Sequence, residues 1–183
     1  PKDLLVVGCG TGNEIEAIIQ QAPKLPITGI DPSPEMVSQA REKLGRYPTV
    51  TVIDGHLSDW QHQPLFEAAT LLLVLHFLPD NGAKLELLQQ IASRIQAGAP
   101  LFILDITGSR EQIRENLEVL KLTVPTGLAA DEVSERLYRI EHELYHVSEE
   151  RLMELMEQAG FETPTRFFQT TVYMGWMTRK RSI

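Results

Sequence analysis

A short segment near the start of the chain constrains the fold more than any other feature. Four apolar residues, Leu4–Val7, lead into the run Gly8-Cys9-Gly10-Thr11-Gly12, and isoleucines at helical spacing follow. Glycines suit such a turn because the backbone must bend sharply and approach a ligand without Cβ atoms in the way. Asp31 ends the next predicted strand, where a carboxylate can accept hydrogen bonds from both hydroxyls of a ribose. Together these features predict a site for an adenosine-type cofactor at the switch point of a parallel sheet.

Strand and helix patterns alternate as far as Ile106. The predicted strands are Leu4–Val7, Pro26–Ile30, Val50–Ile53, Ala69–Leu75 and Leu101–Ile106, and the predicted helices are Asn13–Ala22, 33–44 and Ala83–Ile95. This alternation predicts a parallel sheet with helices on both faces. Two last strands, Thr165–Phe168 and Val172–Met177, are joined by a link too short for a parallel crossover, so the sheet ends in an antiparallel hairpin. The predicted fold class is α/β, with a doubly wound, mostly parallel sheet of seven strands.

The alternation stops between the fifth strand and the hairpin. Residues 109–145 contain two further helical stretches, which we interpret as a helical cover inserted into a single domain that spans residues 1–183. The apolar residues of the two stretches are Ile113, Leu117 and Leu120, then Val133, Leu137, Ile140 and Leu144, with a predicted turn at Pro125-Thr126-Gly127. Another helix begins at Ser148. Because Pro1–Asp3 lead directly into a strand, we also expect residues upstream of this sequence.

Composition limits the classes of partner and compartment. The 183 residues are enough for one domain with a substantial core. A single cysteine allows no internal disulfide and favours a reducing, cytoplasmic setting. The longest apolar run, Ala68–Leu75, is far too short to cross a bilayer. A net charge of −8 repels polyphosphate, so we expect a small-molecule partner rather than a nucleic acid, and no membrane. We also expect a monomer or homodimer.

The glycine spacing separates two classes of cofactor. Dinucleotide enzymes carry G-x-G-x-x-G, but Asn13 stands where their third glycine would fall, and this chain has G-x-G-x-G. The stretches VVGCGTG, ITGIDPSPEMV, VTVIDGHLSDW, FEAATLLLVLHFLPD, the strand that ends at Asp105, and AGFETPTRFF resemble class I S-adenosylmethionine-dependent methyltransferases. The resemblance covers nearly the whole chain. It implies a Rossmann-like methyltransferase fold and S-adenosylmethionine as the cofactor.

The resemblance also implies roles for individual residues. The loop residues Gly8, Cys9, Gly10, Thr11 and Gly12 would contact the methionine and ribose part of the cofactor. Asp31 would hold the ribose, and Pro32 is a further candidate for cofactor binding. In such enzymes an acid after the third strand meets the adenine amino group, but His56 stands at that position here. Asp54, His56 and Leu57 are therefore the candidates for the adenine contact. Leu75, at the end of the predicted fourth strand, is a further candidate for cofactor binding.

Other residues are candidates for catalysis and substrate binding. His76 follows the fourth strand at the edge where substrates approach, so it can act as a base or position the substrate, although it can equally fix the local loop. On the insert, Arg136, Tyr138 and Arg139 can anchor a substrate acid, although pairing with the many glutamates there explains the arginines too. His142 and His146 are spaced as metal ligands, but the sequence offers no third ligand, so we predict no metal site.

Three functions follow from these features. The first is methyl transfer to a small molecule. The second is synthesis of a carboxylated cofactor, because LLLVLHFLPD, the insert and AGFETPTRFFQTTVYMGW resemble carboxy-S-adenosylmethionine synthases, which serve tRNA wobble-uridine modification. Those enzymes hold the added carboxylate with an arginine, which would here be Arg136 or Arg139. Direct methylation of tRNA is a weaker version of this second function, and the negative net charge of the chain argues against it. The third is a non-catalytic, cofactor-binding scaffold.

Overall fold

The computed structural model describes residues 1–60, 65–123 and 129–182. Seven strands are present: β1 (Leu4–Val7), β2 (Ile27–Asp31), β3 (Val50–Asp54), β4 (Ala69–Leu72), β5 (Pro100–Ile106), β6 (Thr165–Thr170) and β7 (Tyr173–Arg179). The helices are α1 (Asn13–Gln21), α2 (Pro34–Leu44), α3 (Ala83–Arg94), α4 (Arg110–Thr123), α5 (Ala130–His142) and α6 (Glu149–Gln158). The predicted turn at Pro125–Gly127 lies outside the described residues.

The strands form one sheet in the order β3-β2-β1-β4-β5-β7-β6. All neighbours are parallel except β7, which runs antiparallel to both β5 and β6. The fold class predicted from the sequence is thereby confirmed. Because the chain moves outward from β1 in one direction to β3 and then returns to β4 on the other side, β1 and β4 flank the point where the strand order reverses. Ligands of open α/β sheets bind at this point, outside the carboxyl ends of the strands.

The sheet packs against helices on both faces. Leu5 and Val7 of β1 belong to a core with residues of α3 and α6, whereas Leu4 and Val6 belong to a second core with residues of α1 and α2. All four residues of β1 are buried, which explains why the strand is an unbroken apolar run instead of an alternating one. The two cores fix β1, and therefore the position at which the glycine loop leaves the sheet.

The two helices between β5 and α6 form a third core. Ile113 and Leu117 of α4 pack with Leu137 and Ile140 of α5, and this pair sits on Ile106 at the end of β5. The seven apolar residues that the sequence predicts for the two helices all belong to this core or pack against it. Because β5 ends at the carboxyl edge of the sheet, α4 and α5 lie beside the strand ends where a ligand would bind.

The fourth strand is shorter than predicted. It ends at Leu72, and Leu73 has a positive φ of 59°, a conformation rare for a leucine. The Leu73 amide still donates to the Leu104 carbonyl at 2.7 Å, but the chain then bends into a short 3₁₀ helix, Leu75–Phe77. The run Ala69–Leu75, which is apolar except for Thr70, gave no sign of this bend, which brings Leu75 and His76 across the end of the sheet. In the described ranges no helix has both the length and the apolar character needed to cross a membrane.

Candidate active site

The glycine loop lies directly against the end of β4. Gly8 has a φ of +71°, and a Cβ built on it would lie 2.4 Å from Val74 Cγ2. Only glycine therefore allows the loop to approach the turn that carries Leu75 and His76 this closely. The amides of Gly8 and Cys9 both donate to the Ile30 carbonyl, at 2.8 and 3.2 Å. These contacts join the ends of β1, β2 and β4 in one site.

Asp31 is oriented by backbone donors from two sides. Its Oδ2 accepts from the Gly10 amide and its Oδ1 from the Ser33 amide, both at 2.9 Å, and the residue is only 9% exposed. A carboxylate has about four lone-pair sites, so two remain available for the hydroxyls of a ribose. Gly10 has a φ of +51°, and a Cβ on it would meet no atom within 4 Å. The loop therefore leaves open space, and these residues fit the nucleoside cofactor that the sequence implies.

Cys9 contributes packing rather than nucleophilic chemistry. Burial, and secondarily the charge of Asp31, raises the pKa of its thiol to about 12. A thiol in this state is protonated throughout the physiological range and is a poor nucleophile. Thr11 and Gly12 complete the loop, which the Gly12 amide closes by donating to the Cys9 carbonyl at 2.9 Å.

The candidates for adenine contact lie at the end of β3. Asp54 pairs in register with Asp31. Asp54, His56 and Pro32 are exposed, whereas Leu57 is buried. The guanidinium of Arg94 donates to the carbonyls of Leu57 and Trp60 and so fixes the segment after β3. Asp54, His56 and Leu57 remain the predicted contacts, and Arg94, which the sequence analysis did not single out, supports the backbone that carries them.

His76 forms a buried pair with Asp105, the sixth residue of β5. The His76 Nδ1 and Asp105 Oδ1 atoms lie 2.7 Å apart, and both side chains are at most 5% exposed. Asp105 also accepts from the Leu75 amide at 2.8 Å. Because an ionised carboxylate only accepts hydrogen bonds, Nδ1 carries the proton and the other ring nitrogen, Nε2, is left as an acceptor. This is the arrangement of an oriented general base.

A cleft of about 480 Å³ opens between the strand ends and α5. Its lining is mostly apolar and also includes His76, Arg136 and Arg139, together with two glutamates of α5, Glu132 and Glu135. The apolar residues are Leu73, Phe77, Ile106, Ile140, Leu144 and Tyr173. The structure thus brings three of the predicted catalytic and substrate-binding residues to one cleft. Tyr138 is not among the lining residues, and its ring packs against that of His142, 4.4 Å away.

The two histidines with metal-ligand spacing point to different surroundings. His142 is exposed, and its Nε2 lies 3.7 Å from Oε2 of Glu141. His146 is half-buried and lines a small gap with His76, Lys84 and Thr107. Burial lowers the pKa of His146. Across the described part of the chain, no three His, Cys, Asp or Glu side chains are grouped so that they could hold a metal ion.

Sequence reasoning missed two charged residues at the centre of this site. Asp105 interrupts the apolar strand LFILDI, and Lys84 takes an inward position of α3 with Leu88 and Ile91, yet both are fully or almost fully buried. Acidic and basic residues are seldom buried without a partner. Their position inside apolar patterns was therefore a usable signal that the two residues meet other polar groups.

The fold and the site together define an α/β domain whose residues at the strand ends fit a nucleoside cofactor. Residues 5–101, more than half of the chain, match the family described as "Methyltransferase domain". The chain belongs to this family.

Known proteins with similar sequences or structures carry methyltransferase names. Trans-aconitate 2-methyltransferase of Rhodopseudomonas palustris strain BisB5 is 28% identical over 103 residues, which are 56% of this chain and 38% of that protein. Human N-acetylserotonin methyltransferase, solved with SAM, superposes with a TM-score of 0.70 at 18% identity over 99% of this chain and 48% of that one. The plantazolicin methyltransferase BpumL, solved with SAH, gives 0.73 at 18% identity over 99% and 77%. The chain thus spans about two fifths of the length of the first relative, and at these identities the structures establish the fold.

Proposed function

We propose that the chain transfers a methyl group from S-adenosylmethionine to a hydroxyl group of a small molecule, with His76 as the general base. The observation that carries the proposal is the buried His76–Asp105 pair at the wall of a mostly apolar cleft, 2.7 Å between Nδ1 and Oδ1. A hydroxyl must lose its proton as the methyl group arrives, so it needs a base, whereas a carboxylate acceptor is already ionised. An oriented histidine therefore favours hydroxyl acceptors.

The cofactor site of the proposal is supported by the orientation of the Asp31 carboxylate, which leaves two lone-pair sites for a ribose. Asp31 would accept the ribose hydroxyls, the Gly8–Gly12 loop would lie against the methionine part, and Asp54, His56 and Leu57 would meet the adenine. The turn at Leu75 would close the site on the side of β4, since Val74 touches Gly8. When bound, the sulfonium of the cofactor supplies an activated methyl group, and the domain mainly aligns the acceptor and excludes water.

His76 would remove the proton at Nε2 while the acceptor oxygen forms its bond to the methyl carbon and the carbon–sulfur bond breaks. Asp105 stabilises the imidazolium that results, because its carboxylate holds Nδ1–H. The proton then leaves to solvent and the neutral sulfur departs with the spent cofactor. Burial of both side chains strengthens this electrostatic contact, since little water competes for it.

The cleft also supports a contact for an acidic or polar group of the acceptor. Arg139 is paired with Glu143 at 3.3 Å, whereas Arg136 has no ion-pair partner within 4 Å among the described residues and lines the cleft. We therefore assign the substrate contact to Arg136 first, with Arg139 beside it. Tyr138 packs on His142 and does not line the cleft, so we assign it no substrate contact. The proposal also includes the cytoplasmic location and the monomeric or homodimeric state predicted from the sequence, which cell fractionation and light scattering would test.

The test is a transfer assay with labelled S-adenosylmethionine and matched panels of phenols, aliphatic alcohols and carboxylic acids, trans-aconitate among the acids. We expect turnover of hydroxyl acceptors, and a fall in kcat of about 10²-fold or more in His76→Gln, with cofactor affinity kept within about twofold. His142→Gln, which changes a histidine outside the cleft, is the matched control. Turnover of acids alone, with His76→Gln as active as the parent, would overturn the assignment. The comparisons give no support to the carboxy-S-adenosylmethionine synthase hypothesis, and mass spectrometry of the co-purified cofactor tests it in the same samples.

A further inference from the structure

A lysine lies completely buried behind the candidate base. Lys84 is 0% exposed and occupies the inward face of α3, one turn before Leu88. Burying an ammonium group is costly unless other groups compensate for the lost hydration. An aliphatic side chain would fill this position without that penalty, so the contacts of the Lys84 ammonium are the place to look for its role.

Those contacts converge on the turn that carries His76. Lys84 Nζ donates to the Leu75 carbonyl at 2.5 Å, and the Leu75 amide donates to Asp105 Oδ2 at 2.8 Å. Lys84 thus binds the carbonyl of Leu75 and Asp105 binds its amide, while the other oxygen of Asp105 contacts the His76 ring. The His76 carbonyl accepts from the Tyr145 amide at 2.8 Å. The turn is therefore held from α3, from β5 and from the segment after α5.

The charges of this cluster support one another across the Leu75 peptide. Burial lowers the pKa of Lys84, and the carboxylates of Asp105 and Asp80 oppose that effect. Lys84 and Asp105 form no ion pair within 4 Å, but both line the same small gap as His76 and His146. In a medium of low dielectric constant, charges separated by one peptide group still interact strongly. Lys84 and Asp105 therefore hold the Leu75 peptide from its carbonyl and its amide.

We propose that Lys84 is a positioning residue for the base: its ammonium holds the Leu75–Phe77 turn through the Leu75 carbonyl, so that the Asp105 carboxylate meets the His76 ring and fixes its proton on Nδ1. The inference rests on the function proposed for His76. Lys84 lines no part of the acceptor cleft and acts only through Leu75 and Asp105. The other charged groups near His76 are His146 ahead of α6 and, from α5, Glu132, Glu135, Arg136 and Arg139.

Two substitutions separate this role from simple packing. Lys84→Met keeps the length of the side chain but removes the charge and the donor, and Lys84→Gln keeps a donor without the charge. Replacing a buried charge by an apolar group of similar volume is often neutral or stabilising, so we expect the stability of Lys84→Met to equal or exceed that of the parent. If Lys84→Met fails to fold, Lys84→Gln replaces it as the variant that lacks the charge. Lys24→Met, on the exposed surface, is the matched control.

The first readout needs no acceptor. In nitrogen–proton NMR spectra of protein labelled at histidine, the His76 signals are assigned by their absence from His76→Gln. We expect a neutral ring protonated at Nδ1 in the parent near neutral pH. In Lys84→Met and Lys84→Gln, which remove the ammonium from the Leu75 carbonyl, we expect the tautomer protonated at Nε2 to appear beside the Nδ1 form. His76 spectra that coincide with the parent across the pH range in both folded variants would overturn the proposal.

The second readout uses the transfer assay. We expect both variants to lower kcat about tenfold across the pH range, because a His76 ring that is displaced or protonated at Nε2 cannot accept the proton. The acceptor KM and the affinity for S-adenosylmethionine should stay within about twofold. Should the NMR change appear without any methyl transfer, the proposed function is wrong and the positioning network stands. Should transfer depend on His76 but not on Lys84 at any pH, the role of Lys84 is wrong.

Discussion

At the scale of single residues, Gly8 and Gly10 have different reasons to be glycine. A side chain at Gly8 would collide with Val74, whereas one at Gly10 would project into open space beside Asp31. We expect Gly8→Ala to lower the free energy of unfolding by at least about 2 kcal/mol, because strain and overlap add. Val74→Ala in the same chain should restore part of that loss. Chemical denaturation of the single and double variants measures both effects.

Gly10→Ala should affect binding more than stability. Its Cβ meets no protein atom, so only the left-handed backbone is penalised, by about 1–2 kcal/mol. The added methyl group would occupy space that we assign to the cofactor, and we expect the affinity for S-adenosylmethionine to fall at least about tenfold. Calorimetric titration checks this, and an affinity equal to that of the parent would place the cofactor elsewhere.

Cys9 provides a residue-scale prediction on pH. The pKa of its thiol is raised from 9.0 to about 12 by burial, so the folded protein holds this proton more tightly than the unfolded chain does. The stabilising contribution is therefore complete below about pH 9 and is lost as the pH rises toward 12. We expect Ellman's reagent to react slowly with the native protein at mildly alkaline pH and rapidly in urea. Equal rates in the two states would show that the thiol is accessible and ionised.

At the scale of elements, α4 and α5 have their own core, joined to the sheet mainly through Ile106 and Val172. Leu117 is 2% exposed in that core, so Leu117→Ala should cost about 2–5 kcal/mol locally. Amide exchange in α4 and α5 should speed up by at least about 30-fold, while β1 and β4 keep their protection. Leu122→Ala, on the same helix at 86% exposure, is the control. Equal acceleration in the sheet would show that the insert and the sheet unfold as one unit.

The strands show what sequence patterns can and cannot predict. An apolar run such as Leu4–Val7 predicts a buried strand because every side chain meets a core. The same reasoning fails at Leu73, where the largely apolar run Ala69–Leu75 continues but the backbone takes a positive φ and leaves the strand. Side-chain polarity carries no information on φ there, so the bend that presents His76 could not be predicted. Asp105 and Lys84 are the opposite case: their charges inside apolar patterns were a usable signal of a buried polar cluster, but the sequence analysis did not draw that prediction.

At the scale of the whole molecule, net charge bears on the tRNA hypotheses. The chain carries −8 at neutral pH, and such a field opposes a polyanion. We expect no retention of bulk tRNA in filter-binding assays at physiological salt. Cationic clusters would instead give binding that strengthens steeply as salt falls. Micromolar, salt-dependent tRNA binding would contradict the small-molecule proposal and favour an RNA substrate.

The central claim is that S-adenosylmethionine binds at the strand ends of β1 and β2. Its most direct test is calorimetric titration of the protein with S-adenosylmethionine and S-adenosylhomocysteine, with Asp31→Asn as the variant and Asp59→Asn, an exposed acid beyond β3, as the matched control. We predict micromolar binding that falls at least about a hundredfold in Asp31→Asn, since hydrogen bonds to a charged group are each worth about 1.5–3 kcal/mol. The control should bind like the parent. A folded protein that binds neither ligand would contradict the account and leave the domain as a scaffold. Equal binding with and without the Asp31 carboxylate would contradict it too, because the cofactor would then lie elsewhere.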